Sequence, residues 1–173
     1  MSWKQYTWIV FHNVAKNYDD SNKDRYNDFF ESFKVVIPCR ICREHYKKNV
    51  SENDMNIYSN MESDKIFNWT VNLHNTVNRM HGKSQWSYDR ALEFYNKNGL
   101  PYLVIKFFIF EYIVHNFKKG PEKTENLFKM LKSLAYVYPD REKRDKLIDF
   151  TNKFQLTRES LRNWLLAYLV ILK

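Results

Sequence analysis

Both cysteines of the 173-residue chain lie in one stretch, PCRICREHY, at positions 38–46. Cys39 and Cys42 are separated by two residues, and His45 follows three residues later. Cysteines at this spacing in the first turn of a helix can form a reversible disulfide, because the helix N-terminus and two neighbouring arginines favour the reactive thiolate. The stretch therefore predicts a thiol–disulfide redox site.

Two other interpretations also fit the cysteines taken alone. A zinc site needs four ligands, and His45 or the pair His74 and His81 could complete one, although this spacing is unlike that of zinc fingers. The cysteines could equally be ordinary core residues. Spacing alone leaves all three interpretations open and favours the redox dithiol.

Two further stretches carry histidines at helical spacing. In WIVFHNVAKNY, at 8–18, Trp8 and His12 lie one helical turn apart. The second stretch, WTVNLHNTVNRMHGK at 69–83, places four residues along one helical face: Val71, His74, Asn75 and Asn78. Either pattern alone is more often part of a packed core than part of a site.

The elements that must position these residues are predicted to be helices. Glycine and proline are scarce, at three and four residues, and apolar residues recur at helical spacing along the chain. The run at 102–118 is apolar almost all round, which predicts a helix buried inside a bundle. Gly99 and Pro101 divide an all-α chain into a five-helix unit, 1–99, and a four-helix unit, 100–173. The predicted helices are about 3–18, 22–36, 38–49, 64–81, 87–97, 102–118, 122–137, 140–153 and 158–172. Ser87 is the predicted cap of the fifth helix and Thr157 that of the last.

The net charge of +8 is uneven along the chain. Residues 1–99 carry 14 Lys/Arg against 12 Asp/Glu, whereas residues 100–173 carry 14 against 8. This pattern fits a solvated basic face, or a surface that meets nucleic acid, anionic lipid or an acidic protein. Because the basic residues are scattered singly, nucleic acid is not favoured as a partner.

Localisation is predicted from apolar runs and cysteine usage. The runs at 102–114 and 165–172 are too short to span a bilayer as helices, so no membrane span is expected. The first residues lack the pattern of a signal peptide, and two cysteines do not make a disulfide-stapled secreted domain. We expect a soluble, cytoplasmic protein.

Taken together, the three stretches resemble the Erv/ALR family of FAD-linked sulfhydryl oxidases. The resemblance covers roughly residues 3–97 and adds a basic residue and an aromatic one after the third motif. The matching motifs are W-x-x-x-H (Trp8, His12), P-C-x-x-C-x-x-H (Pro38 to His45) and W-x-x-x-x-H-N-x-V-N (Trp69 to Asn78), followed by Lys83 and Trp86.

The resemblance implies an FAD-binding bundle of four long helices and a short fifth, with the flavin ring against the cysteines. Cys39 would exchange disulfides with a protein dithiol, Cys42 would lie beside the flavin, and oxygen would be the final acceptor, giving hydrogen peroxide. No metal is implied. The residues that would line the cofactor are Trp8, His12, Cys42, His45, Trp69, His74, Asn75, Asn78, Lys83 and Trp86.

The chain departs from the family pattern at three points. It has no second, shuttle CxxC, so a substrate must reach Cys39 directly or through an intermediary redox protein. The positions of a structural disulfide correspond to Val71 and Tyr88, and Lys4-Gln5 replaces a Gly-Arg pair. An alternative function that fits these departures is a basic helical scaffold or nucleic-acid binder that has lost turnover.

The short form is similar to the sulfhydryl oxidases of large DNA viruses, which implies the host cytoplasm and the virion as locations. Members of the family commonly form homodimers through their bundles. We expect the unit 100–173 to pack on the first unit, in place of that dimer contact or beside it.

Overall fold

The computed structural model describes residues 1–52 and 63–173, and in these residues the secondary structure is helical, with no strand. The predicted all-α class is confirmed, and both ends of every predicted helix lie within three residues of the ends of an observed helix. None of the described helices is long and apolar enough to cross a membrane. The helices are α1 (Trp3–Lys16), α2 (Lys23–Val36), α3 (Arg40–Glu52), α4 (Ser63–Met80), α5 (Tyr88–Asn98), α6 (Tyr102–Asn116), α7 (Pro121–Val137), α8 (Arg141–Lys153) and α9 (Leu161–Leu172), with a 3-10 turn at Asp20–Asn22.

The ends of α5 show why the boundaries could be predicted. The Ser87 hydroxyl accepts a hydrogen bond from the backbone N–H of Arg90 at 3.3 Å, which confirms the predicted N-cap. At the other end the N–H of Gly99 donates to the carbonyl of Tyr95. Gly99 has a φ of 53°, a conformation that a residue without a Cβ adopts easily.

The predicted start of the last helix is wrong by three residues. Thr157 caps a turn over 158–160, and α9 begins only at Leu161. The N–H of Thr157 donates to the Ser160 hydroxyl at 2.8 Å, and the N–H of Ser160 donates to the Thr157 hydroxyl at 3.1 Å. Because these two residues satisfy each other, the turn is stable without continuing directly into the helix.

An aromatic cluster joins α1 to α2 in the core. The ring of Phe11 meets the rings of Phe33 and Phe30 edge-on, at centroid distances of 4.6 and 5.1 Å. Phe29 completes the cluster, and all four residues are buried. The cluster fixes α1 against the helix that leads into the cysteines.

The second unit of helices (α6 to α9) packs on the first unit (α1 to α5), with α6 on α1 and α7 on α2. The ring of Tyr112 in α6 meets Phe33 at 5.3 Å, and its hydroxyl is 2.8 Å from the hydroxyl of Thr7. Buried Arg144 of α8 donates to the carboxylate of Asp19 at 2.8 Å. Buried residues from both groups belong to one hydrophobic cluster.

The prediction that α6 is buried all round is wrong. One face of α6 packs on α1 and α7, whereas the opposite face is open. A continuous run of exposed apolar side chains follows this open face, one or two per turn: Leu103, Phe107, Phe110 and Val114. We call these four residues the α6 stripe.

Candidate functional site: a redox disulfide and a histidine cleft

The two cysteines form a disulfide at the start of α3, with their Cα atoms 5.2 Å apart. Cys39 immediately precedes the helix, and Cys42 lies in its first turn. The backbone N–H of Cys42 donates to Cys39 Sγ at 3.2 Å, so the sulfur occupies the place of an N-capping side chain. Both cysteines are partly exposed, and Ile41 between them is 60% exposed. The disulfide is therefore open to a substrate thiol.

Metal ligands were the competing interpretation of this stretch. Among the side chains that the structure describes, no three from His, Cys, Asp or Glu lie close enough together to hold a metal ion.

Trp8, His12 and His74 meet where α1 packs against α4. The rings of Trp8 and His74 stack at a centroid distance of 4.1 Å and an interplanar angle of 4°. His12 Nε2 is 3.0 Å from His74 Nδ1. The structure thus brings together residues that are 62 positions apart in the chain.

Thr70 fixes the tautomers of the two neutral histidines. Its hydroxyl donates to the carbonyl of Phe67 at 2.7 Å, so its oxygen accepts from His12 Nδ1–H at 2.9 Å. The unprotonated Nε2 of His12 then accepts from His74 Nδ1–H. His74 Nε2 is consequently left as a hydrogen-bond acceptor. Sequence reasoning missed Thr70, although it lies one turn before His74 on the same helix.

Burial keeps both histidines neutral. Desolvation, followed by the charge of His74, holds the pKa of His12 well below 6.5. Desolvation, followed by the charge of Lys83, lowers the pKa of His74 to about 4. Protonating either ring would also break the donor–acceptor chain from Thr70, because both nitrogens of a charged imidazole are donors.

This pair makes the folded protein sensitive to acid. A group whose pKa is lower in the folded state binds its proton more tightly after unfolding, so stability falls as the pH drops through 6.5, the unfolded value. Between pH 7 and pH 5, His74 alone should cost about 2 kcal/mol of unfolding free energy. Urea denaturation at a series of pH values measures this slope.

Single substitutions separate this effect from general acid sensitivity. His74→Asn should flatten the slope, whereas His81→Asn should leave it unchanged because His81 is exposed. An equally steep slope in His74→Asn would contradict the assignment.

Asn75 holds the chain that follows α4. Its Nδ2 donates to the carbonyl of Trp86 at 2.8 Å, and its Oδ1 accepts from the N–H of Trp86 at 2.9 Å. Asn78 also holds this segment, since its backbone carbonyl accepts a hydrogen bond from the N–H of Lys83 at 2.9 Å. Arg90 lies over the Trp86 ring at 4.6 Å. These contacts hold Trp86 in the lining of a cleft that His12 and His74 also line.

The predicted face of α4 lines a cleft. Tyr95, which sequence reasoning missed, covers His12 at a ring distance of 4.7 Å. Only its position on the inner face of α5 could have indicated it. The cleft is lined by His12, Val71, His74, Asn75, Asn78, Trp86, Ala91 and Tyr95.

Three other predicted site residues are not part of the lining of this cleft. Trp69 is 4% exposed and packs edge-on against Phe30, on the core side of α4. His45 is partly exposed on α3, one turn beyond Cys42. Lys83 is exposed just after α4. Their contact with a cofactor stays a prediction.

The helical fold, the partly exposed disulfide at a helix start and the histidine–aromatic cleft define an all-α thiol–disulfide redox protein. The model of the Erv1 / Alr family matches residues 5–97. The chain belongs to this family. No solved structure matches the chain.

The curated relatives are sulfhydryl oxidases of viruses and plants. A probable FAD-linked sulfhydryl oxidase of Acanthamoeba polyphaga mimivirus is 31% identical over 103 residues, which is 57% of this chain and 72% of that protein. A putative FAD-linked sulfhydryl oxidase of Frog virus 3 is 30% identical, covering 51% of this chain and 62% of the relative. The rice FAD-linked sulfhydryl oxidase ERV1 is 30% identical, covering 44% of this chain and 40% of that protein.

Proposed function

We propose that the chain is an FAD-dependent sulfhydryl oxidase, which forms disulfide bonds in protein dithiols and reduces oxygen to hydrogen peroxide. The observation that carries this proposal is the Cys39–Cys42 disulfide at the start of α3, within a domain of the Erv1/Alr family. The names of the relatives point to the same reaction.

The residues of the cleft fit FAD. The parallel rings of Trp8 and His74 offer a flat aromatic surface, and His74 Nε2 offers an acceptor for an amino or imino N–H. Lys83 supplies a positive charge suited to a pyrophosphate. The chemistry that FAD supplies when bound is the uptake of two electrons from a dithiol and their return to oxygen.

The cysteines divide the thiol chemistry between them. A substrate thiolate attacks Cys39 Sγ, forming a mixed disulfide and releasing Cys42 as a thiolate. The second substrate thiolate then attacks the substrate sulfur that is bonded to Cys39, which gives oxidised substrate and a Cys39 thiolate. Cys42 packs against the hydrophobic core, which supports its assignment as the inner cysteine.

The chain divides in this proposal into an oxidase unit, 1–99, and a helical extension, 100–173. The proposed substrate is a protein dithiol or an intermediary redox protein that reaches Cys39 from solvent. Similarity to two virus proteins supports the host cytoplasm and the virion as the places where the enzyme acts.

We further propose that the enzyme is a homodimer and that two copies meet through the α6 stripe. Leu103→Glu should convert the dimer to a monomer, because pairing would bury a carboxylate. Light scattering coupled to size exclusion measures the mass. Leu166→Glu on α9 is the matched control, since Leu166 is 57% and Leu103 60% exposed. An intact chain that elutes as a monomer would refute the dimer, and a Leu103→Glu protein that stays dimeric would refute its location.

Purified protein gives a direct test of the proposed reaction. It should take up FAD, consume oxygen when a dithiol is added, and release one hydrogen peroxide for each disulfide formed. Protein that remains colourless after incubation with FAD would exclude the proposed function.

A further inference from the structure

The chain just before the redox disulfide is held by side chains from two other parts of the protein. Residues 36–38 join the end of α2 to Cys39. Their three consecutive carbonyls all accept hydrogen bonds from side chains: that of Val36 from Asn116 and those of Ile37 and Pro38 from Arg43. Carbonyls at the end of a helix have no partner within that helix, so this segment depends on such donors.

Asn116 makes the link from the second unit. It is the last residue of α6 and is fully buried. Its Nδ2 donates to the carbonyl of Val36 at 2.8 Å and to the carbonyl of Tyr112, one turn earlier in α6, at 2.9 Å. Within the described residues its Oδ1 has no hydrogen-bond partner. A buried amide with an unsatisfied oxygen costs stability. What the Asn116 side chain provides in return is a hydrogen-bond donor to the carbonyl of Val36.

Arg43 makes the second link, from α3 itself. Its Nη1 lies 2.7 Å from the carbonyl oxygen of Ile37 and 3.4 Å from that of Pro38. The backbone N–H of the same residue donates to the carbonyl of Cys39 at 3.0 Å. Because the side chain and the backbone N–H of one residue reach three successive carbonyls, these bonds hold the chain where it approaches Cys39.

A fixed approach favours closure of the disulfide. The two sulfurs must separate when the disulfide is reduced, and they must meet again when it re-forms. Holding Cys39 close to Cys42 raises the effective concentration of one thiol at the other, as preorganisation does in any ring closure.

We propose that Asn116 and Arg43 are positioning residues that hold the 36–38 carbonyls and thereby favour the disulfide over the dithiol. The second unit is then part of the redox site, because Asn116 couples α6 to the chain before Cys39. This inference deepens the proposed oxidase function and rests on it for its biological meaning.

The test is the equilibrium of the full-length protein with glutathione. Two glutathione thiols donate two electrons to the Cys39–Cys42 disulfide, giving glutathione disulfide and two protein thiols, which are counted after alkylation. Asn116→Leu keeps the side-chain size and removes the donor. Arg43→Lys keeps the charge but is one atom shorter, so its amine should no longer reach both carbonyls. Each should shift the equilibrium about fivefold towards the dithiol.

The control is Tyr112→Phe, which removes another buried hydrogen bond between the same helical groups, to Thr7, and leaves the 36–38 carbonyls untouched. It should stay within about twofold of wild type. If Tyr112→Phe shifts as much, or if Arg43→Lys does not shift, the proposal is wrong. Arg43 is only partly buried, so Arg43→Lys decides the matter even if Asn116→Leu does not fold. The measurement is made without oxygen and counts only the protein thiols, so its result does not depend on whether the chain is an oxidase.

Discussion

Cys39→Ser and Cys42→Ser should each lower dithiol oxidation at least about a thousandfold, since each removes one half of the only cysteine pair. Oxygen uptake with dithiothreitol as substrate measures the loss. Both variants should still bind FAD, because neither sulfur lines the cleft that His12 and His74 line. The variants therefore separate thiol exchange from cofactor binding.

Ile41→Ser is the matched control for these variants. It changes an exposed residue between the two cysteines and leaves both thiols in place. We expect its activity to stay within a few-fold of wild type. Substantial oxidation by either cysteine variant would contradict the proposed route through the disulfide.

The two cysteine variants should also differ from each other. In Cys42→Ser the free Cys39 thiolate can attack glutathione disulfide, releasing one glutathione and keeping the other as a mixed disulfide. No neighbouring thiol remains to resolve it, so mass spectrometry of the intact protein should find the added glutathione. Faster trapping by Cys39→Ser than by Cys42→Ser would reverse the assignment of the outer cysteine.

Trp8→Ala should weaken FAD binding by about tenfold to a hundredfold. The substitution removes the ring that stacks on His74, and stacking of a flat base on an aromatic side chain is worth about 1–3 kcal/mol. Titration of the purified protein with FAD, followed by the absorbance of the bound flavin, gives the dissociation constant.

Trp3→Ala provides the comparison for Trp8→Ala. Both tryptophans lie on α1, both are partly buried, and Trp3 is more than one turn away from the histidine pair. Trp3→Ala should leave FAD affinity unchanged. Equal affinities of wild type and Trp8→Ala, or an equal loss in Trp3→Ala, would show that the cleft does not hold the cofactor.

Features encoded locally could be predicted from the sequence. The Ser87 cap, the end of α5 at Gly99 and the burial of Phe29 and Phe33 depend on residues within a turn or two of each other. Helical spacing also placed His74 on the face that lines the cleft. The fold class and the face of each helix follow from such signals.

Partners from distant parts of the chain could not be predicted in this way. Asn116 lies 80 residues from Val36 in sequence, and nothing in the pattern of α6 indicates this contact. Helical periodicity also cannot show that the Asn75 amide bonds the backbone of Trp86. It cannot show that α6 leaves one apolar face open either, since that depends on which helices pack around it.

The central claim is that electrons pass from a dithiol through Cys39–Cys42 to FAD bound beside these cysteines. The most direct measurement is the visible absorbance of the FAD-loaded protein after anaerobic addition of a dithiol. We predict that the oxidised-flavin band disappears by the second equivalent of dithiol per flavin, because the disulfide and the flavin each take up two electrons. The band should return when oxygen is admitted, and neither cysteine variant should show this change. A band that persists in the wild-type protein, or that disappears as fast in Cys39→Ser and Cys42→Ser, would contradict the claim.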